Sequence, residues 1–160
     1  MESLFAPWRG AYVEGVHKGQ GSGCVFCSAF QGDDESHLVV GREKKSFAML
    51  NLYPYNPGHV LIVPNRHLSR VHELEAAERN ELAEWVVRLE GVLRGSYKAE
   101  GVNVGMNLGK AAGAGIEDHL HVHMVPRWNG DTNFMPVFFE TKVVSEALKD
   151  SLHKIRQALA

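Results

Sequence analysis

The run His119-Leu120-His121-Val122-His123-Met124-Val125-Pro126 alternates imidazole with apolar side chains. A period of two is the signature of a strand, whose successive side chains point to opposite faces. His119, His121 and His123 therefore share one face, while Leu120, Val122 and Met124 bury the other. Three imidazoles in such a row stand roughly 6 to 7 Å apart. Histidine is the side chain most readily tuned between acid, base, nucleophile and metal ligand near neutral pH, so the row predicts chemistry rather than packing.

The remaining periodicities supply a frame for that strand. The segments at 46–55 and 58–64 are rich in apolar and aromatic residues and are separated by Pro54, Asn56, Pro57 and Gly58, which predicts two paired strands joined by a turn. From Glu75 to Tyr97, Leu82, Trp85, Val86, Leu89, Val92 and Leu93 recur at helical spacing opposite Glu78, Glu81, Glu84, Arg88 and Arg94. This is the main amphipathic helix, its stripe covering one face of a sheet. A further short strand is expected at 101–108, and a glycine-rich loop follows at 109–118. Residues 127–141 read as loop with a short strand. Leu148, Leu152, Ile155 and Leu159 predict a C-terminal helix over 145–160 behind a Ser145 cap. Residues 1–22 mix Trp8, Tyr12 and several glycines without periodicity and read as an irregular N-terminal arm, with a mobile linker at 17–23.

A chain of 160 residues fits one domain, 1–160, and no repeat or second core interrupts it. With 17 basic against 19 acidic residues, it carries no broad electrostatic footprint for nucleic acid or an anionic membrane, so a phosphate ligand has to be held locally. No stretch approaches the length of an apolar span and no leader-like start is seen, which predicts a cytoplasmic protein. The two cysteines, Cys24 and Cys27, are spaced as a redox dithiol, a zinc half-site or a pair of buried thiols would be.

Four segments occur in order: GCVFC at 23–27, NPGHVLIVPNRH at 56–67, NVGMNLGKAAGAG at 103–115, and the histidine strand. Together, from Gly23 to Arg127, they resemble the histidine triad (HIT) family. The resemblance implies an α+β HIT fold: an antiparallel sheet of about five strands, one main helix and a C-terminal helix, with the sheet extended across a two-fold homodimer. It makes His121 the nucleophile on an α-phosphorus, forming a nucleotidyl-histidine, with His123 donating to a phosphate oxygen and His59 facing the phosphate or the leaving oxygen. Neutral imidazole attacks through one nitrogen while the other carries a proton, so an acceptor, most simply a backbone carbonyl, is expected to fix the tautomer of His121.

The resemblance also implies that Asn51 holds ribose and that Asn107, Gly113 and Gly115 serve the phosphate region, where glycines let backbone N–H groups approach an anion. Trp128, in the segment VPRWNGDTNFMP at 125–136, has three uses open to it: stacking on a base, closing the site with a partner subunit, or plain packing; that segment is similar to the branch that cleaves diadenosine polyphosphates. Cys24, Cys27, His67 and His119 would close a tetrahedral Cys₂His₂ shell around structural zinc. Many members carry Gly-Gln-Ser or Gly-Gln-Thr before the triad, where this chain has Ala114-Gly115-Ile116, so side-chain phosphate contacts are replaced by backbone donors.

The implied activity is cleavage of the α-phosphoanhydride of a dinucleoside polyphosphate, with a purine nucleotide passed from His121 to water. The alternatives are phosphate as the acceptor, a diadenosine tetraphosphate phosphorylase; a nucleoside phosphoramidate as substrate; a nucleotide-binding regulator with incidental turnover; and a zinc-dependent metalloenzyme, which would need an open metal position.

Overall fold

In the computed structural model, which describes residues 23–132 and 145–160, the alternating segments form one five-stranded antiparallel sheet. The strands are β1 (Val39–Arg42), β2 (Ser46–Leu50), β3 (Val60–Pro64), β4 (Gly101–Gly105) and β5 (Val122–Arg127), in the spatial order β1-β2-β3-β5-β4. The histidine strand is thus central, flanked by β3 and β4. Among the described residues three α-helices accompany the sheet: α1 (Val25–Gln31), α2 (Ala76–Tyr97) and α3 (Leu148–Leu159).

One face of the sheet is covered by α2 and α3. Ala48, Leu50, Val60, Ile62, Val122 and Met124 meet Leu82, Trp85, Leu89 and Leu93 of α2 and Leu152 and Ile155 of α3 in the main core. Leu120, Val122 and Met124 all enter this core, which leaves His121 and His123 on the opposite face. There α1 lays Phe26 and Ala29 over Val39, Phe47, Leu61 and Val63, at the β1-β2-β3 half of the sheet. The histidine row lies along the border between this half and the half formed by β5 and β4.

Helix α2 forms where its apolar stripe predicts. Glu78 accepts from the Glu75 backbone N–H at its start, and Lys98 takes a left-handed conformation, φ 53°, at its end. At Gly41 a Cβ would stand 2.8 Å from Trp85 Cη2, so β1 needs glycine to lie against this helix. The irregular register of β1 between Val39 and Gly41 is covered by Arg156 of α3, which donates to the Val39 carbonyl at 2.7 and 3.1 Å.

Two sequence expectations change, and two elements are new. The C-terminal helix starts at Leu148, with Ala147 at the cap position and no side-chain cap, so Ser145 does not cap it. Leu148 is the first of the four apolar residues to reach the core, and Asp150 provides the acidic first turn. The regular histidine strand starts at Val122, not His119, because the His119 carbonyl is turned to an imidazole rather than to the ladder. Helix α1 and strand β1 have no counterpart in the sequence reading. The N-terminal arm 1–22 and the loop at 133–144 lie outside the described residues.

Candidate active site and metal centre

Helix α1 opens with Cys24 at its cap position, so Cys24 and Cys27 lie one turn apart on the same side. The helix is too short to hold itself, and its exposed carbonyls are met by one side chain. Arg42 of β1 donates to the Ala29 and Phe30 carbonyls at 2.8 Å each and pairs with Asp34. Phe26, 1% exposed, sets its ring edge-on to His119 at 5.4 Å between centroids and against His121 at 4.9 Å. The helix therefore delivers two thiols and one wall of the histidine row.

The thiols meet two imidazoles. Cys24 Sγ is 3.3 Å from His119 Nδ1, Cys27 Sγ is 3.3 Å from His67 Nδ1 and 3.7 Å from His119 Nδ1, and all four donor atoms lie within 4.8 Å of one another. A tetrahedral zinc with ordinary Zn–S and Zn–N bonds separates sulfur from nitrogen by roughly 3.5 Å, so the donor set fits the ion. His119 Nε2–H donates to the Pro64 carbonyl at 2.9 Å, which leaves Nδ1 as the lone pair facing the thiols. Burial and then the neighbouring Cys24 push the Cys27 thiol up. A cation held between the two sulfurs reverses that cost. These four residues form the candidate metal site, and they close it.

His119 links this site to the rest of the row through its own backbone. Its carbonyl accepts from His121 Nδ1 at 2.9 Å, the backbone acceptor expected from the sequence, so Nε2 of His121 carries the lone pair. His121 is 7% exposed, and burial holds its imidazole below the ordinary histidine range, in the neutral form. Its ring turns toward His123, with centroids 4.9 Å apart, closer than an ideal strand spacing.

A second chain of bonds fixes His123. The Tyr55 backbone N–H donates to His59 Nδ1 at 3.1 Å, so the His59 proton is on Nε2, which donates to His123 Nδ1 at 3.0 Å. His123 is thereby left with its proton on Nε2. His59 is fully buried, and burial, followed by the neighbouring His123 and His121, lowers its pKa to about 3. It stays neutral, behind His123. Asn51 joins the group through Nδ2, 3.4 Å from His59 Nδ1, and its Oδ1 accepts from the Tyr53 N–H at 2.9 Å.

The other predicted residues separate. Asn107 Nδ2 donates to the Gly113 carbonyl at 3.5 Å, tying the residue before the glycine-rich loop to its middle, and Gly113 needs its φ of 84° to close a short 3-10 turn. Gly115 is half-buried in the same loop, and the next residue, Ile116, packs against the Phe26 cluster. That contact is a structural use for an apolar residue in place of a hydroxyl. The Trp128 indole N–H donates to the Tyr97 and Lys98 carbonyls at 3.2 and 3.1 Å, capping α2.

Sequence reasoning passed over four contributors. These are Phe26, Arg42, Tyr55, and Asn56, which donates to the Pro126 carbonyl at 2.8 Å and to Asp131 at 2.9 Å. Asn56 ties the turn before His59 to the exit of the histidine strand. Its place in the Pro54-to-Gly58 turn was the available signal.

The description "HIT domain" belongs to the family model that matches residues 33–130 of this sequence. The chain belongs to the HIT family. Among its relatives is the AP-4-A phosphorylase of Mycobacterium tuberculosis, 45% identical over 157 residues, covering 94% of this chain and 80% of that one. The bis(5'-adenosyl)-triphosphatase of Dictyostelium discoideum is 38% identical over 82 residues, 51% of this HIT protein and 54% of its own length. Among solved structures, a Zn-bound histidine triad family protein from Mycobacterium smegmatis superposes with a TM-score of 0.69 at 27% identity, covering 85% of this chain and 92% of that one. These relatives make this HIT protein an enzyme of nucleotide-processing type.

Proposed function

We propose that this HIT protein transfers a nucleotidyl group from a dinucleoside polyphosphate, a purine nucleotide substrate, through His121. The observation that carries the reading is the bond from His121 Nδ1 to the His119 carbonyl, which aims a neutral Nε2 lone pair away from the backbone. That lone pair attacks the α-phosphorus. The bond to the bridging oxygen breaks, its electron pair leaves with the oxygen, and the Nε2–H of His123 donates to that oxygen. In the second step an acceptor oxygen attacks the same phosphorus, and the electrons of the N–P bond return to Nε2 of His121. His59 acts as a positioning residue through His123, Asn51 holds ribose, and Asn107, Gly113 and Gly115 offer donors to the phosphates.

Phosphate is the acceptor we favour over water, supported by the AP-4-A phosphorylase relative at 45% identity across nearly the whole chain. Chromatographic analysis of diadenosine tetraphosphate after incubation tests this, with and without inorganic phosphate and beside His121→Asn. ADP plus ATP only when phosphate is present is the expected result. AMP plus ATP in water alone would return the acceptor to water, and no cleavage under either condition would overturn the transfer reading.

The metal of the Cys24, Cys27, His67 and His119 site is proposed to be zinc, as in the M. smegmatis neighbour. Four protein ligands leave no open position, so zinc supplies structural rigidity and no reacting species. By holding His119 it fixes the carbonyl that sets the tautomer of His121. We propose the whole chain as one domain that pairs with a second copy along the edge of β4 that no described strand covers, where Val104 and Leu108 are exposed. Among the described residues no helix is long and apolar enough to cross a membrane, and we place the enzyme in the cytoplasm.

A further inference from the structure

The half of the sheet face that α1 leaves uncovered holds a cleft of about 420 Å³ bordering His123. That volume falls in the range of small-molecule sites, roughly 300 to 1,000 Å³. The floor of the cleft is set by register. Gly105 of β4 stands directly opposite His123 of β5, and Asn103 opposite Val125, so these residues share the histidine face. Among the described residues a Cβ at Gly105 would meet nothing within 4 Å, and the residue does not have a positive φ. Neither packing nor backbone geometry therefore demands glycine at this point in the strand. What it provides is room beside His123, as strand glycines do where another molecule approaches closely.

We propose that this cleft is the subsite for the leaving nucleoside of a dinucleoside polyphosphate. The proposal rests on the nucleotidyl-transfer reading above. Asn51, the ribose residue of the transferred half, follows β2 on the far side of the row and bonds His59. The cleft lies across His123, on the β4 side. A substrate with its α-phosphorus at His121 and its transferred ribose at Asn51 runs past His123, and its other half enters the cleft.

The chemistry of the walls selects the nucleoside rather than the phosphates. Arg127, the single cation among the described lining residues, is held by both oxygens of Asp131 at 2.6 and 2.8 Å and donates to Asn103 at 2.8 Å. Its charge is already answered. The exposed flank of Tyr55 and the Met106 side chain offer an aromatic and a polarizable surface to a planar base, and the Asn103 amide offers hydrogen bonds to a sugar or base edge.

Two ligands decide it: diadenosine tetraphosphate, and the terminal methyl ester of adenosine 5′-tetraphosphate, which has the same phosphate chain and charge but a methyl group in place of the distal nucleoside. Their dissociation constants are measured by calorimetry on His121→Asn, so that turnover does not interfere. The dinucleotide is expected to bind roughly tenfold tighter, the scale of one stacked base. Adding Gly105→Val, which fills the floor with a residue suited to a strand, is expected to bring the ratio close to one; Gly105→Ala gives a smaller reduction if the valine variant does not fold. Equal affinities in His121→Asn, or a tenfold ratio that survives both substitutions, would overturn the subsite. Failure of the transfer reading shows separately, as absence of cleavage of either compound by the unsubstituted enzyme.

Discussion

Arg66 precedes the candidate metal ligand His67 and is fastened to the first turn of α2, so Glu78→Gln tests how that residue is presented. The Glu78 carboxylate is 1% exposed and accepts from Arg66 Nε and a terminal nitrogen at 2.6 Å each, and from the Glu75 N–H at 2.8 Å. The hydrogen bonds from Arg66 are the largest cause of a pKa lowered from 4.5 to about 2, with the Glu75 N–H adding to them and burial opposing. At about 1.4 kcal/mol per tenfold change in proton affinity, the ceiling is roughly 3 kcal/mol. The Arg66 side chain is 49% exposed, so water screens the pair, and a loss of about 1 to 2 kcal/mol is expected at pH 7. A carboxylate with a depressed pKa stabilises the fold above its unfolded value and loses that contribution as pH falls through the folded one. The gap between wild type and Glu78→Gln should therefore be full at pH 7, begin to shrink below about pH 4.5 and be mostly gone near pH 2. Urea unfolding of both proteins at matched zinc content, at pH 7, 4 and 3, gives the gap. Competition with a chromophoric chelator should show zinc held roughly tenfold less tightly in the variant, the lower end of what a supporting contact contributes. A gap that is absent at pH 7, or constant down to pH 3, would refute the reasoning.

Cys24→Ser should lower zinc content, measured by elemental analysis, and reduce the thermal midpoint before it changes the nature of the products; equal zinc in both proteins would remove the metal assignment. Because burial keeps His59 neutral, its imidazole nitrogen resonances should stay unchanged from pH 8 to pH 5, and a protonation midpoint inside that range would break the tautomer chain that fixes His123. Val104→Lys places a charge on the free edge of β4, where Val104 is 48% exposed, and should shift a dimer to monomer in sedimentation equilibrium; an unchanged mass would move the interface elsewhere.

The site was legible in the sequence wherever its geometry is local. The alternation at 119–123 predicts which face each histidine takes, and the bond from His121 to the His119 carbonyl spans only two residues. The Cys24-to-Cys27 spacing becomes one turn of helix, but the helix itself was not foreseeable from seven residues, since it is held by Arg42 from β1 and by Phe26 buried against Leu61 and Val63. β1 is four residues long, and its glycine reads as a break until Trp85 is seen against it. Trp128 left base stacking, closure by a partner subunit and plain packing equally open, because the sequence says nothing of the α2 carbonyls that its indole N–H meets.

The long-range bond from His59 to His123, across 64 residues, changes the division of labour most. The family resemblance groups His59 with the residues that face phosphate; the fold buries it behind His123 and gives it a Tyr55 N–H on its other nitrogen. Two neutral imidazoles then carry fixed and opposite assignments, a lone pair on Nε2 of His121 and a proton on Nε2 of His123. Each assignment is made by a backbone group, the His119 carbonyl in one case and the Tyr55 N–H in the other. Side-chain substitution at His119 or Tyr55 therefore leaves the hydrogen-bonding atom in place, whereas the His123 tautomer also depends on the His59 imidazole that relays the Tyr55 N–H to it.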